Sequence, residues 1–535
     1  MAFSLREREQ PAWLEPLQAA LVEALPRLYG EGAAPALAAV ITDLMTALEQ
    51  GKLSIPLPAA LADSPTAATA LGEDANGPLV IEAGRVSWRR WHDLRQAVLA
   101  ALLERVGPGV TAATDNATPA DDGGSWAGTS QSEPPRAAPD PRQRQAVEAV
   151  LAHRLVLLQG GPGTGKTSTV ARMLAAVLER DPATRIHLAA PTGKAAARLR
   201  AATGGQHPSG TLHRLLESRG DHFARNSLHP LPLDLLVVDE VSMVDLALMA
   251  ALLEALPTSA RLVLVGDPAQ LPPIAPGAVL LDLQQPDLQA GLGGAAITLS
   301  TTYRNDGAIA AVAGALRTSL DRRVGGAAAG PLEMIRPQLE HLKPSDNLVW
   351  RQANGGRLPL ALVARLKAHL QALAGLAADC RPERPDDWRR LLVERDRLLV
   401  LTPRRRGPWG VEGIHRTLLG EAAGAPAATW PEGLPVLCTR NLPELGLANG
   451  DVGVLLGRAD SNARQILFGT EEPLWVHPAQ LAAAAEPALA LTVHKAQGSE
   501  AAEVIVLLSD IEPDGRLLYT ALTRARERAE LITTS

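Results

Sequence analysis

From Leu155 onward, short apolar runs alternate with segments of helical character. Leu155–Leu158, Ile186–Ala190, Leu235–Val238 and Leu262–Val265 each end at a polar or glycine-containing turn. Runs that are apolar on both faces and separated by helices predict a parallel sheet covered on both sides, so the fold class is α/β. Ligands of such sheets bind beyond the carboxyl ends of the strands. A second set of runs, from Leu398–Leu401 through Val504–Leu508, ends in YTALTRARERAELI, whose pattern predicts a helix. Between them, Trp430 to about Pro487 holds the β-type runs PVLCTR, DVGVLLG, QILFG and PLWVHP with Asn-Gly and Gly turns. This predicts a small β-unit inserted into a second α/β unit. The first 107 residues read as mostly helical, with a β-like piece, PLVIEAGRVSW, before the periodic stretch Leu94–Leu103. From Gly107 to Pro141 the chain almost lacks Leu, Ile and Val. Such a segment buries too little apolar surface to offset its ordering entropy, and reads as a flexible linker.

Composition narrows the class. A chain of 535 residues suggests about three or four domains. With 46% hydrophobic and 21% charged residues it is globular, not disordered. Aromatics are scarce, so the core must be built from Leu, Val, Ile and Ala. A net charge of -6 argues against coating nucleic acid through bulk charge but leaves room for a local basic groove. Cys380 and Cys438 allow at most one disulfide and cannot supply a four-cysteine iron–sulfur cluster. They read as small buried hydrophobes in a reducing compartment. The start, MAFSLREREQ, lacks a signal-peptide pattern, and no uncharged run of about 18 apolar residues occurs. The expectation is a cytoplasmic protein that avoids membranes.

The chemistry sits at the strand ends. Gly160–Thr167, GGPGTGKT, fits G-x-x-x-x-G-K-[ST] between a strand and a helix. Gly160, Gly161, Pro162, Gly163, Thr164 and Gly165 form a turn whose backbone N–H groups can face phosphate oxygens, aided by the helix dipole. Lys166 is placed for the β- and γ-phosphates and the Thr167 hydroxyl for Mg²⁺. Asp239-Glu240 ends LDLLVV; such a pair can hold the metal through Asp239 and polarise the attacking water through Glu240. In GDPAQLPP, Gln270 can touch the γ-phosphate or the water, or simply cap a strand. Arg304 in TTYRND and Arg524 in YTALTRAR can enter such a site from a second unit and stabilise transition-state charge. A solvated surface arginine is the bland alternative for each.

GGPGTGKT, APTGKAA (190–196), TLHRLL (211–216), DEVSMVD (239–245), GDPAQLPP, TTYR, TVHKAQGSE (492–500) and YTALTRAR occur in the order found in superfamily 1 DNA helicases, which the chain resembles over residues 140 to 535. DEVSMVD, GPWGVEGIH (407–415) and NGDVG (449–453) look like the RecD family, the alpha subunits of RecBCD enzymes (exodeoxyribonuclease V). The resemblance implies two RecA-like P-loop domains, at 141–296 and at 297–428 with 488–535. It also implies a small β-barrel insertion at 429–487, a linker at 108–140 and a partner-docking domain at 1–107. It implies ATP and Mg²⁺ as cofactors and 5′ to 3′ movement on one DNA strand. Double-strand-end processing with RecB-like and RecC-like subunits follows from the same resemblance. By motif, Gln143 in DPRQRQAV matches the glutamine that recognises adenine, with a linker-edge role open because Gln145 lies nearby. Gln270, Arg304 and Arg524 match γ-phosphate sensors. Pro191, Thr192, Thr211, His213, Thr492, His494 and Lys495 fall in strand-contacting motifs, where capping or core packing is the competing reading.

The chain departs from the family pattern at Ala501-Ala502, where an aromatic commonly follows GSE; that bears on local packing. Single-strand motors usually stack bases on aromatics. Trp409, Trp430, Trp475 and Tyr303 are the candidates, Trp409 first, with a core role equally open. No acidic cluster of the RecB nuclease type appears, so DNA cleavage is expected of a partner subunit. Two rival readings stand beside this one. A stand-alone RecD-like helicase usually has a longer front region, and a structural subunit would have a vestigial ATPase, against which Lys166, Glu240, Arg304 and Arg524 argue.

Overall fold

The structure is a computed structural model that describes residues 14–29, 34–58, 77–107, 140–220, 222–302, 307–322, 330–457, 464–469, 473–509 and 513–534. Arg304, Tyr303 and the expected linker, apart from Asp140, lie outside these residues.

The first α/β unit is a six-stranded, all-parallel sheet. In spatial order its strands are Ser209–Thr211, Ile186–Ala190, Leu235–Val238, Arg261–Gly266, Leu155–Gly160 and Ala296–Leu299. Leu155–Gly160 and Leu235–Val238 are buried throughout, as strands covered on both faces must be. The pairing of Leu158 with Ile297 and Gly160 with Leu299 carries this unit to Leu299, past the expected limit at 296. The reason is register: Ala296–Leu299 is the edge partner of the P-loop strand and cannot be divided from it.

The second unit is a five-stranded parallel sheet, ordered Leu348–Ala353, Ala525–Thr534, Ala501–Leu508, Leu398–Thr402 and Leu491–Thr492. One expectation fails here. The helix stops at Leu522, and Ala525–Thr534 is a strand. Ala, Arg and Glu favour a helix locally, but this segment has strands on both sides and buries Ala529, Leu531 and Ile532. Tertiary pairing overrides local propensity.

Between the strands of the second sheet lies a five-stranded antiparallel sheet, ordered Leu474–Val476, Gln465–Phe468, Val452–Leu456, Pro435–Cys438 and Ala485–Pro487. Its outer strands do not pair with each other among the described residues. Val454, Leu456 and Leu467 pack against Leu373, Trp388 and Leu391 of the helices Leu360–Asp379 and Pro385–Arg395. Leu360–Asp379 is the one helix, among the described residues, long and apolar enough to cross a membrane. It is anchored in the fold instead: Leu362 and Leu366 join the second unit's core, and Arg365 pairs with Glu503 and Glu530.

Ahead of the first α/β unit, helices Leu14–Tyr29 and Ala34–Glu49 precede a three-stranded antiparallel sheet, Ser54–Pro56, Arg85–Trp88 and Leu79–Glu82 in that order. Helix Arg89–Glu104 then buries Val98, Leu99 and Leu102 in the first unit's core, at about 1.5–3 kcal/mol per side chain of this kind. Buried Arg105 donates to the carbonyls of Leu256 (2.7 Å) and Pro257 (2.9 Å), just past helix Leu246–Ala255. A cation there complements the negative end of the helix dipole. The end of the front region is thereby built into the first α/β unit.

Candidate nucleotide and nucleic-acid site

Strand Leu155–Gly160 runs into the P-loop, and helix Lys166–Arg180 starts from it. Gly165 caps that helix with φ 83°, in the left-handed region that favours glycine. The Thr164 hydroxyl donates to the Gly161 carbonyl (2.8 Å), holding the turn. Lys166 Nζ donates to the carbonyls of Gly160 (2.6 Å) and Gly161 (2.9 Å), so the ammonium lies in the mouth of the loop. Gln143 is buried rather than exposed, and its side-chain oxygen accepts from Arg172 of the P-loop helix at 2.7 Å. Gln145 is half-buried and bonded to Arg142.

Asp239 and Glu240 end strand Leu235–Val238, and both are buried. Glu240 sits at φ 51°, a conformation a non-glycine residue rarely adopts; Asp239 Oδ1 accepts its N–H at 2.9 Å. Burial, and then the Glu240 charge, push the Asp239 carboxyl above its ordinary value. Burial acts the same way on Glu240, but Arg524, Arg198 and Lys166 outweigh it and hold that carboxyl down. The two neighbouring carboxyls are thus shifted in opposite directions, Asp239 up and Glu240 down. Among the described residues no cluster of three or more His, Cys, Asp or Glu could hold a metal alone. One carboxylate and one hydroxyl, Asp239 and Thr167, suit Mg²⁺, which usually completes its shell with phosphate oxygens and water.

The loop Gly266–Pro273 is gripped by the second unit. The Tyr519 hydroxyl donates to Asp267 Oδ2 (2.8 Å), and Leu271 N–H donates to Thr520 Oγ1 (2.9 Å). Gln497 Nε2 donates to the Leu271 carbonyl (3.0 Å), and Arg516 donates to that of Pro268. Gln270 is buried within this loop, and its Oε1 has no partner among the described residues. Arg524 is 3% exposed and donates to the Thr520 and Ser499 carbonyls, with its charge felt at Glu240. Lys166, Asp239, Glu240 and Arg524 are thus brought together. Sequence reasoning named none of Tyr519, Thr520, Gln497 and Arg198 individually. All but Arg198 lie inside the motifs YTALTRAR and TVHKAQGSE, which was the available signal.

The strand-contact candidates lie at the carboxyl edges of both sheets. Pro191 and Thr192 follow Ala190, whose register partner is Thr211; Thr492 pairs with Thr402 in the second sheet. Three hydroxyls act locally: Thr192 accepts from Ala195 N–H (3.3 Å), Thr211 from Arg214 N–H (3.2 Å) and Thr492 from Lys495 N–H (3.3 Å). His213 is half-buried, with its ring 6.1 Å from that of Phe223. His494 is half-buried beside Lys495, whose ammonium pairs with Glu486 at 3.1 Å. Gly498, at φ 74°, brings TVHKAQGSE against APTGKAA; a Cβ there would lie 2.9 Å from Thr192 Oγ1. Trp409 does not offer a stacking face. It is 1% exposed in the second unit's core and donates from Nε1 to the Arg357 carbonyl (3.1 Å). Trp430 is likewise buried, in the core of the inserted sheet.

The AAA domain family matches residues 143–276, and the UvrD-like helicase C-terminal domain family matches 487–532. The RecBCD enzyme subunit RecD of Mycolicibacterium smegmatis is 38% identical over 427 residues, covering 73% of this chain and 70% of that protein. The ATP-dependent RecD2 DNA helicase of Deinococcus radiodurans is 33% identical over 404 residues, covering 72% of this chain and 48% of that protein. A solved structure of two coordinating Pif1 helicases at forked duplex DNA covers 74% of this chain and 92% of its own. At 15% identity and a TM-score of 0.43 it adds nothing to the assignment. At 38% identity to the Mycolicibacterium smegmatis subunit, with 73% of this chain and 70% of that relative covered, the similarity shows that the chain belongs to the RecD family of RecBCD enzyme subunits.

Proposed function

We propose that this chain is an ATP-driven DNA helicase subunit moving 5′ to 3′ along one strand, within a RecBCD-type complex that processes double-strand ends. The observation that carries the proposal is the second unit's grip on the loop that holds Gln270, through Tyr519 on Asp267 and Thr520 on Leu271, with buried Arg524 of that unit holding the Glu240 carboxyl of the first unit down. A nucleotide on the P-loop would be read by both units at once, so hydrolysis would depend on their apposition. Lys166 binds the β- and γ-phosphates, and Gln143 recognises adenine. Thr167 and Asp239 would hold Mg²⁺, which neutralises phosphate charge. Glu240 orients and deprotonates the attacking water. Gln270, Arg304 and Arg524 respond to the γ-phosphate. Pro191, Thr192, Thr211, His213, Thr492, His494 and Lys495 hold the strand through phosphates, giving sequence-independent binding. Direction, and pairing of residues 1–107 with a RecC-like subunit beside a RecB-like nuclease, follow from family membership. The test is Lys166→Gln, which removes the phosphate-facing charge. DNA-stimulated ATPase should be abolished, and unchanged turnover would defeat the motor reading.

A further inference from the structure

Helix Gly193–Ala202 starts directly after Pro191-Thr192 and carries two cations one turn apart, Lys194 and Arg198, both reaching the second unit. Lys194 Nζ lies 3.4 Å from Asp396 Oδ1. Asp396 is fixed in turn by buried Arg395 (2.9 Å), whose Nη1 donates to the Val452 carbonyl (2.6 Å). One turn on, Arg198 divides its guanidinium between two glutamates. Nη2 is 3.0 Å from Glu240 Oε1, and Nη1 is 2.8 Å from Oε1 of Glu500, which closes TVHKAQGSE in the second unit. The Glu240 side chain is 10% exposed and that of Glu500 22%. A single planar fork therefore joins the acid at the strand end to the other unit's strand-contacting motif. Only arginine holds two carboxylates in this way; a lysine ammonium lacks the fixed fork.

We propose that Arg198 is a positioning residue that links strand engagement to ATP hydrolysis by aiming the Glu240 carboxylate only when Glu500 of the second unit is in place. It rests on the function proposed above. The helix carrying Arg198 begins at a strand-contacting motif and ends its bridge at another, so a strand gripped by both sets the distance between Glu240 and Glu500. Arg198 itself reaches neither nucleotide nor strand in this role.

The test uses the full chain and measures ATPase with and without saturating oligothymidylate, for the wild type, Arg198→Gln, Arg198→Lys, Glu500→Gln and the Arg198→Gln/Glu500→Gln double variant. Arg198→Gln should lower DNA-stimulated kcat by about tenfold or more, the scale of a lost charge-assisted bond. KM for ATP and Kd for the oligonucleotide should stay within about threefold, because binding groups are untouched. Arg198→Lys should fall between, keeping charge but not the fork. The double variant should be no worse than Arg198→Gln alone, since both changes cut one bridge. Full stimulation in Arg198→Gln, multiplicative losses in the double variant, or a change confined to KM or Kd would overturn the assignment. Should Arg198→Gln fail to fold, as read from its melting curve, Arg198→Lys and Glu500→Gln carry the same prediction. A wild type with no DNA-stimulated ATPase would instead defeat the motor reading itself.

Discussion

Removing the Tyr519 hydroxyl should uncouple the two motor units more than removing the Thr520 hydroxyl does. Tyr519→Phe deletes the donor to Asp267 Oδ2 (2.8 Å), while Oδ1 keeps the Ala269 N–H at 3.0 Å. Asp267 is 0% exposed and Tyr519 2%, so water cannot replace the hydroxyl without opening the contact. A hydrogen bond to a charged group is worth about 1.5–3 kcal/mol, and a buried carboxylate oxygen left bare bears most of that cost. The bond spans the two units, so the cost falls on their apposed arrangement and not on the folding of either sheet. At 1.36 kcal/mol per tenfold, the apposed population drops about ten- to a hundredfold relative to the open one. Thr520→Ala is the internal comparison. It removes a neutral acceptor for the Leu271 N–H (2.9 Å), worth about 1 kcal/mol or about fivefold. Steady-state ATPase with saturating single-stranded DNA reads both. DNA-stimulated kcat should fall in Thr520→Ala and further in Tyr519→Phe, with KM for ATP within about twofold of wild type, since the P-loop is intact. A Tyr519→Phe enzyme within twofold of wild type, or Thr520→Ala as the more damaged of the two, would refute the reasoning.

Two further expectations concern stability and the groove. His415 is 5% exposed, accepts the Ala490 N–H through Nε2 (3.3 Å), and is pushed by burial from 6.5 down to about 4. Its folded pKa lies below the unfolded value, so the unfolded chain gains a proton first as pH falls. About 3 kcal/mol of local stability is lost between pH 6.5 and 4. His415→Gln should flatten the pH dependence of the melting temperature in that window, and an unchanged slope would rule His415 out as its source. Trp409→Phe should lower the melting temperature through the lost Nε1 bond to the Arg357 carbonyl, while single-stranded DNA affinity stays within about twofold; a large loss of affinity with unchanged melting would return Trp409 to the groove.

What the sequence made legible was local. The P-loop, the acid pair at the end of Leu235–Val238 and the alternation of strands and helices each lie within a short window. Glycine placement, capping and apolar periodicity report directly on such windows. The failures were contacts between residues far apart in the chain. The fork from Arg198 to Glu240 and Glu500 spans 42 and 302 positions, and the bond from Tyr519 to Asp267 spans 252. No local pattern encodes them. Ala525–Thr534 shows the same limit from the other side, since its alanines, arginines and glutamates suit a helix until flanking strands claim the backbone. Trp409 was drawn toward the groove by the scarcity of aromatics, yet that scarcity also makes a tryptophan valuable in a core of small aliphatic side chains.

Strand displacement from tailed duplexes tests the directional motor most directly. The chain, alone and with RecB-like and RecC-like partners, should displace the annealed strand from a duplex with a 5′ single-stranded tail. Displacement should require ATP and be lost in Lys166→Gln. Displacement only from 3′ tails by the isolated chain would contradict the proposed direction. Displacement that persists in Lys166→Gln would contradict the motor.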